Sequence, residues 1–160
     1  TVSMLGTYFT NIFNNNGSYG LKVHTNRSFT GTKINAEGNQ NASGIYIDNS
    51  SGSGGVMLTT ASLRNNAFHG IEVYSNGPIT LNGVVGVGNG FNPPSGEQDG
   101  DGAHLVSYSG LITFMNCSFV YNWGNGIDTV QPSTSLPVLI NTSYFGNDVN
   151  RSSERNLYDH

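Results

Sequence analysis

Apolar residues along this chain recur in short alternating runs, not at helical spacing. One four-residue pattern returns five times: glycine, apolar, any residue, apolar. It reads Gly20-Leu21-Lys22-Val23, Gly44-Ile45-Tyr46-Ile47, Gly70-Ile71-Glu72-Val73, Gly102-Ala103-His104-Leu105 and Gly126-Ile127-Asp128-Thr129, with Thr in the last apolar slot. The glycines step by 24, 26, 32 and 24 residues. Between them lie apolar pairs at alternate positions: Val56 and Leu58, Ile79 and Leu81, Ile112 and Phe114, Val138 and Ile140. Val2 and Met4 read as the first copy, and the 28–34 stretch is the weakest, with Phe29 and Ile34 as its clear apolar residues. A third mark is an apolar residue shortly before Asn: Leu63 before Asn65, Val87 before Asn89, Phe119 before Asn122, Phe145 before Asn147.

Period-two alternation predicts strands with one face inward. Runs this short, broken so often by Gly and Asn, do not make helices. A single coil of two or three short strands cannot bury its own apolar face, but stacked coils can, each strand pairing in parallel with its copy in the next coil. The prediction is an all-β fold, a parallel β-helix or β-solenoid of about six coils of roughly 24 residues. Equivalent side chains then lie about 4.8 Å apart along the axis. Asn residues in line would bond through their stacked amides. The recurring Gly fits a turn that needs positive φ or a close backbone approach. A leucine-rich repeat would carry a helical half, and a β-sandwich would not hold a common 24-residue register.

The one long step contains Phe91-Asn92-Pro93-Pro94-Ser95-Gly96-Glu97-Gln98-Asp99-Gly100-Asp101, whose prolines and acids read as an inserted loop. The expected organisation is a solenoid over 1–150 with the insertion at 91–101, then a polar tail or degraded last coil over 151–160. Both ends fall inside a coil, so the expected neighbours are further coils, or copies of the chain stacked end to end.

Composition narrows the partners. Gly is frequent, at 22 of 160 residues, and only 10% of residues are charged. A disordered chain of this kind would lack the aliphatic periodicity. The net charge is −4 and no Lys or Arg cluster occurs, which argues against nucleic acid or an anionic membrane surface as a partner. No apolar run approaches the length of a membrane span, and Thr1-Val2-Ser3-Met4 reads as mid-domain sequence, not as a signal peptide. Cys117 is the one cysteine and is expected as a buried free thiol.

In register, the outward position of the glycine-led strands gives one row: Lys22, Tyr46, Glu72, His104, Asp128. The next outward position gives His24, Asp48, Tyr74, Val106, Val130. Glu72, His104 and Asp128 form a carboxylate–imidazole–carboxylate row of the type that serves acid/base catalysis. Tyr46 and Tyr74, with Asp48 beside them, suit sugar binding by ring stacking. The plainer alternative is a solvated strand face with alternating charges. The loop acids Glu97, Asp99 and Asp101 could offer oxygen ligands to Ca²⁺, although the later ligands of a calcium loop are missing. No other cofactor is indicated.

The strings Gly70-Ile71-Glu72-Val73-Tyr74-Ser75-Asn76-Gly77-Pro78-Ile79-Thr80-Leu81-Asn82, Leu111-Ile112-Thr113-Phe114-Met115-Asn116 and Asn122-Trp123-Gly124-Asn125-Gly126-Ile127 resemble the right-handed parallel β-helix repeat. That repeat serves pectate lyases, polygalacturonases, alginate epimerases, phage tailspikes and bacterial surface or adhesin-like proteins. The charge-poor, Asn-, Gly- and Ser-rich style is similar to the last group, which implies a secreted or cell-surface setting. The enzyme motifs of the others are present only as fragments. Asn125-Gly126-Ile127-Asp128 and Phe68-His69-Gly70 are partial against the polygalacturonase set, and Tyr158-Asp159-His160 lacks the proline of the epimerase Asp-Pro-His. Lys22 is the only Lys or Arg on the strip, and a lyase needs one close to an Asp cluster. The reading is therefore a structural or adhesive segment, with a polysaccharide lyase, hydrolase or epimerase fragment, or a glycan-binding module, as alternatives.

Overall fold

The computed structural model describes residues 1–6, 11–93, 100–132 and 135–147. Thirteen strands are formed there: β1 (Val2–Met4), β2 (Asn11–Ile12), β3 (Leu21–His24), β4 (Phe29–Glu37), β5 (Ile45–Asn49), β6 (Val56–Arg64), β7 (Ile71–Ser75), β8 (Ile79–Val87), β9 (Ala103–Ser107), β10 (Ile112–Met115), β11 (Ser118–Val120), β12 (Ile127–Val130) and β13 (Val138–Ile140). One sheet runs β1-β4-β6-β8-β10-β13, with β2 also on β4 and β11 also on β8, and the other runs β12-β9-β7-β5-β3. Every pairing between named strands is parallel. The fold is all-β, a parallel β-solenoid of about five turns. No helix among the described residues is long and apolar enough to cross a membrane.

The glycine-led strands form the five-stranded sheet in the predicted register. Ile45, Ile71, Ala103 and Ile127 stack inward as one ladder, and Ile47, Val73 and Leu105 as the next. On the larger sheet the pairs Val56 and Leu58, Ile79 and Leu81, Ile112 and Phe114 point inward and are fully buried. Three expectations shift. The weak 28–34 copy is in fact part of a nine-residue strand paired along its length with β6. Its second inward slot is Gly31, and the side chains of Ile34 and Leu58 close over the space a Cβ would need. The last pair is displaced by one residue. Leu139, not Val138 or Ile140, stands beside Phe114 and packs on the core, and a one-residue slip exchanges the two faces. Likewise Tyr144 faces the core while Phe145 is exposed.

Two corners bend the long strands. At the first, Lys33, Thr60, Gly83, Asn116 and Asn141 all take left-handed backbone, with φ between 48° and 66°. At the second, Asn15, Gly38, Asn65, Gly88, Tyr121 and Gly146 do the same. Immediately after the second corner runs an asparagine ladder: Asn16, Asn39, Asn66, Asn89, Asn122 and Asn147. Each side-chain amide from Asn16 to Asn122 donates to the Oδ1 of the next rung at 2.7–2.9 Å. The backbone N–H of each also donates to that Oδ1. The ladder residue in the third coil is thus Asn66, and Asn65 is the corner residue. Buried amides are tolerated here because each is satisfied on both sides. Cys117 is buried between β10 and β11 as a free thiol.

Candidate functional site

The five-stranded sheet carries the predicted outward rows in the predicted order. Lys22 pairs with Tyr46, Tyr46 with Glu72, Glu72 with His104, and His104 with Asp128. His24 pairs with Asp48, Asp48 with Tyr74, and Tyr74 with Val106. A further column comes from the residue just before each glycine: Tyr19, Ser43, His69, Asp101 and Asn125. The glycine amides link it coil to coil, Gly44 N–H to His69 O, Gly70 N–H to Asp101 O and Gly102 N–H to Asn125 O, each at 2.9 Å. These turn residues lean over the outward row and bury part of it. Glu72 is only 8% exposed, which departs from the solvated strand face that alternating charges suggested.

At one end of the strip, rings run along the axis. Tyr19 and Tyr46 lie 5.2 Å apart by ring centroids, Tyr46 and Tyr74 6.1 Å, Tyr74 and His104 6.0 Å. The Lys22 ammonium sits 4.8 Å from the Tyr19 ring and 5.2 Å from the Tyr46 ring, within cation–π range. Glu72 does not bond to His104. Its Oε1 accepts the Tyr74 hydroxyl at 3.1 Å and its Oε2 the Ser43 hydroxyl at 2.9 Å. Burial first, and the Glu72 carboxylate second, raise the phenols of Tyr19 and Tyr74 above their ordinary range; Tyr46 is raised by burial, then by Asp48 and Glu72. Asp48 accepts both the Ser50 hydroxyl and the Ser50 N–H, which lowers its pKa.

At the other end, imidazoles and carboxylates meet. His104 Nδ1 lies 2.8 Å from Asp128 Oδ2 and 3.7 Å from Asp101 Oδ2. Burial opposes the imidazolium, but the two carboxylates prevail and raise His104 to about 10. The same contact lowers Asp128. Asp101 is nearly buried, and desolvation raises it despite the Asn125 N–H on its Oδ1 at 2.7 Å. His69 stacks on His104, with centroids 4.9 Å apart and 16° between the planes. Desolvation and the neighbouring His104 charge lower His69 to about 3, so it is neutral. Its Nδ1 accepts the Asp101 N–H at 2.8 Å, which places the ring proton on Nε2.

Of the residues that the repeat pattern nominates, Tyr46, Asp48, Glu72, Tyr74, His104 and Asp128 therefore share one surface, with His104 and Asp128 in contact and Glu72 turned toward the tyrosines. Asp101 joins that surface and not a separate acidic loop. Glu97 and Asp99 lie outside the described residues. Tyr19, Ser43 and His69 carry no signal in the strand alternation, yet the register marks them: each stands directly before a repeat glycine. Compared with protein-family models, with curated proteins and with solved structures, the chain matches none.

Proposed function

We propose that this chain is a segment of a secreted or cell-surface right-handed β-solenoid, of the bacterial adhesin-like kind, whose stacked coils are scaffold and whose five-stranded face binds glycans. The observation that carries the reading is the axial run of rings, Tyr19, Tyr46, Tyr74 and His104. Aromatic side chains stack on the apolar faces of sugar rings while their polar tips bond to hydroxyls. Lys22, Asp48 and Asp128 at the margins supply further donors and acceptors. The rings are held by one another, Tyr74 also by Glu72 and His104 by Asp128, so little side-chain freedom is lost on binding. Charge-poor composition and the repeat itself support the scaffold half of the reading, and end-to-end stacking with further coils or copies of the chain belongs with it.

A polysaccharide lyase, hydrolase or epimerase has weaker support. An acid/base group works best with its pKa near the working pH. His104 is held protonated by its carboxylates, His69 offers no proton at Nδ1, and both Glu72 oxygens are already engaged.

The test is a glycan array followed by calorimetry with the neutral and acidic oligosaccharides that score. Binding should weaken about tenfold or more in Tyr46→Ala, the loss of roughly 1.4 kcal/mol. Absence of any glycan binding, or equal affinity in wild type, Tyr46→Ala and Tyr74→Ala, would sink the reading. Release of sugar ends that disappears in His104→Ala would favour the enzyme instead.

A further inference from the structure

We infer that His69, Asp101 and His104 form a binding site for one first-row divalent transition ion of the zinc type, opening to solvent on the Asp128 side. The inference stands apart from the glycan reading and its test uses no sugar. It rests on how three donor atoms converge. Asp101 Oδ2 lies 3.4 Å from His69 Nδ1 and 3.7 Å from His104 Nδ1. One donor atom from each of the three residues can be chosen so that all lie within 4.8 Å of one another. Nitrogen and oxygen ligands at about 2.0–2.2 Å from a tetrahedral ion stand roughly 3.3–3.5 Å apart, close to these two separations, and the stacked His69 and His104 rings must turn to bring both lone pairs onto one ion.

The resting tautomer of His69 suits a ligand. His69 Nδ1 accepts the Asp101 N–H, so its lone pair carries no proton. In the ion-free state the Asp101 N–H satisfies that lone pair, and Asp101 Oδ2 lies 3.4 Å from the same nitrogen, on two side chains that are each only 8% exposed. His104 Nδ1 lies nearest to Asp128 Oδ2, at 2.8 Å. An ion at the centre would satisfy all three donors at once.

Donor chemistry selects the class of ion. Calcium takes six to eight oxygens, whereas two imidazoles and a carboxylate suit zinc and its first-row neighbours. Binding removes the Nδ1 proton of His104 to solvent and frees Asp128, whose Oδ2 is the remaining donor at the mouth. It also displaces the Asp101 N–H from His69 Nδ1, so one hydrogen bond and one ion pair are exchanged for metal–ligand bonds. His104 and Asp128, with side chains 21% and 40% exposed, leave the entry path. Asn125 N–H, which holds Asp101 Oδ1 at 2.7 Å, fixes the carboxylate from the far side in the manner of an outer-shell partner.

The experiment is calorimetric titration of the chelator-stripped chain with zinc chloride, alongside the visible spectrum of the cobalt(II) form. One equivalent should bind, and cobalt should show the intense absorption of a tetrahedral site. Affinity should fall at least about a hundredfold in His104→Gln and in Asp101→Asn, more than the loss typical of an outer-shell change. It should hold in His24→Gln and His160→Gln, which remove the other two histidines of the chain. The unaltered chain keeps the test decisive if a variant misfolds, because the cobalt spectrum needs no substitution. No stoichiometric binding, a six-coordinate cobalt spectrum, or binding lost in His24→Gln or His160→Gln overturns the inference.

Discussion

Asn89 donates its side-chain amide to Asn122 Oδ1 at 2.9 Å, although 33 residues of chain separate them. The other rungs of the ladder close at 2.7–2.9 Å over 23 to 27 residues. The extra residues of the long coil therefore leave the stack undisturbed. A buried amide ladder has one geometry in which all its members are satisfied, and that geometry sets the coil register where the chain length varies.

Asn66→Ala should be costly. The side chain accepts from the Asn39 N–H and amide, and donates to Ala36 O and Asn89 Oδ1. Truncation takes this partner from the buried Asn39 N–H and Ala36 O, at about 1–3 kcal/mol each, so a loss of roughly 2–6 kcal/mol is expected. Asn16→Ala, at the exposed first rung, should cost about 1 kcal/mol or less. Urea denaturation of both variants measures this, and equal costs would show that the ladder is not what sets stability.

Gly70→Ala should destabilise by about 1–3 kcal/mol through overpacking. A Cβ there would come within 2.6 Å of Gly102 O and 2.8 Å of the Asn89 amide nitrogen. Gly17→Ala meets nothing within 4 Å and should stay within about 0.5 kcal/mol of wild type. Thermal unfolding distinguishes them. A neutral Gly70→Ala would mean that the strand entry is not confined by the ladder.

Thr60→Asn should stabilise. Thr60 is exposed and β-branched, with φ of 58°, between Lys33 and Gly83 in the corner column. Left-handed backbone costs ordinary residues about 1–2 kcal/mol, and Asn tolerates it better. The expected gain is roughly 0.5–1 kcal/mol by denaturant midpoint, a fraction of that penalty. A loss would show that the Thr side chain makes a contribution that outweighs the strain.

Tyr74→Phe separates the ring from the hydroxyl. Glu72 loses one donor, so stability at neutral pH should fall by about 1 kcal/mol, while the stacking surface remains. Because the folded phenol is raised, by burial and then by Glu72, the fold favours its neutral form. That contribution is complete below the ordinary phenol pKa of about 10 and fades as pH climbs above it. Stability should decline between about pH 10 and pH 11 more steeply in wild type than in Tyr74→Phe. Parallel slopes, followed with the phenolate absorbance, would remove Tyr74 from the account.

Much of the strip is legible in the amino-acid pattern. The glycine spacing places Glu72, His104 and Asp128 in successive coils, and the strand register agrees with it. Less is legible where local pattern competes with the stack. Val138 and Ile140 look like an inward pair, yet Leu139 takes the place beside Phe114. Three consecutive apolar residues fit either face, and only the neighbouring coil decides between them. The prominence of His69 is hidden because a residue before a glycine turn carries no alternation signal.

Periodicity and the recurring glycines were enough to determine the coil, its inward ladders up to Phe114 and the order of the outward row. A strand period of two and one common repeat leave few other ways to bury those aliphatics. The tertiary structure decided what the row does. Turn residues from adjacent coils fold over it, so Glu72 turns to Tyr74 and Ser43, and Asp101 joins His69 and His104. Those contacts depend on side-chain direction and burial at the turns, which vary from coil to coil and which no repeat in the sequence encodes.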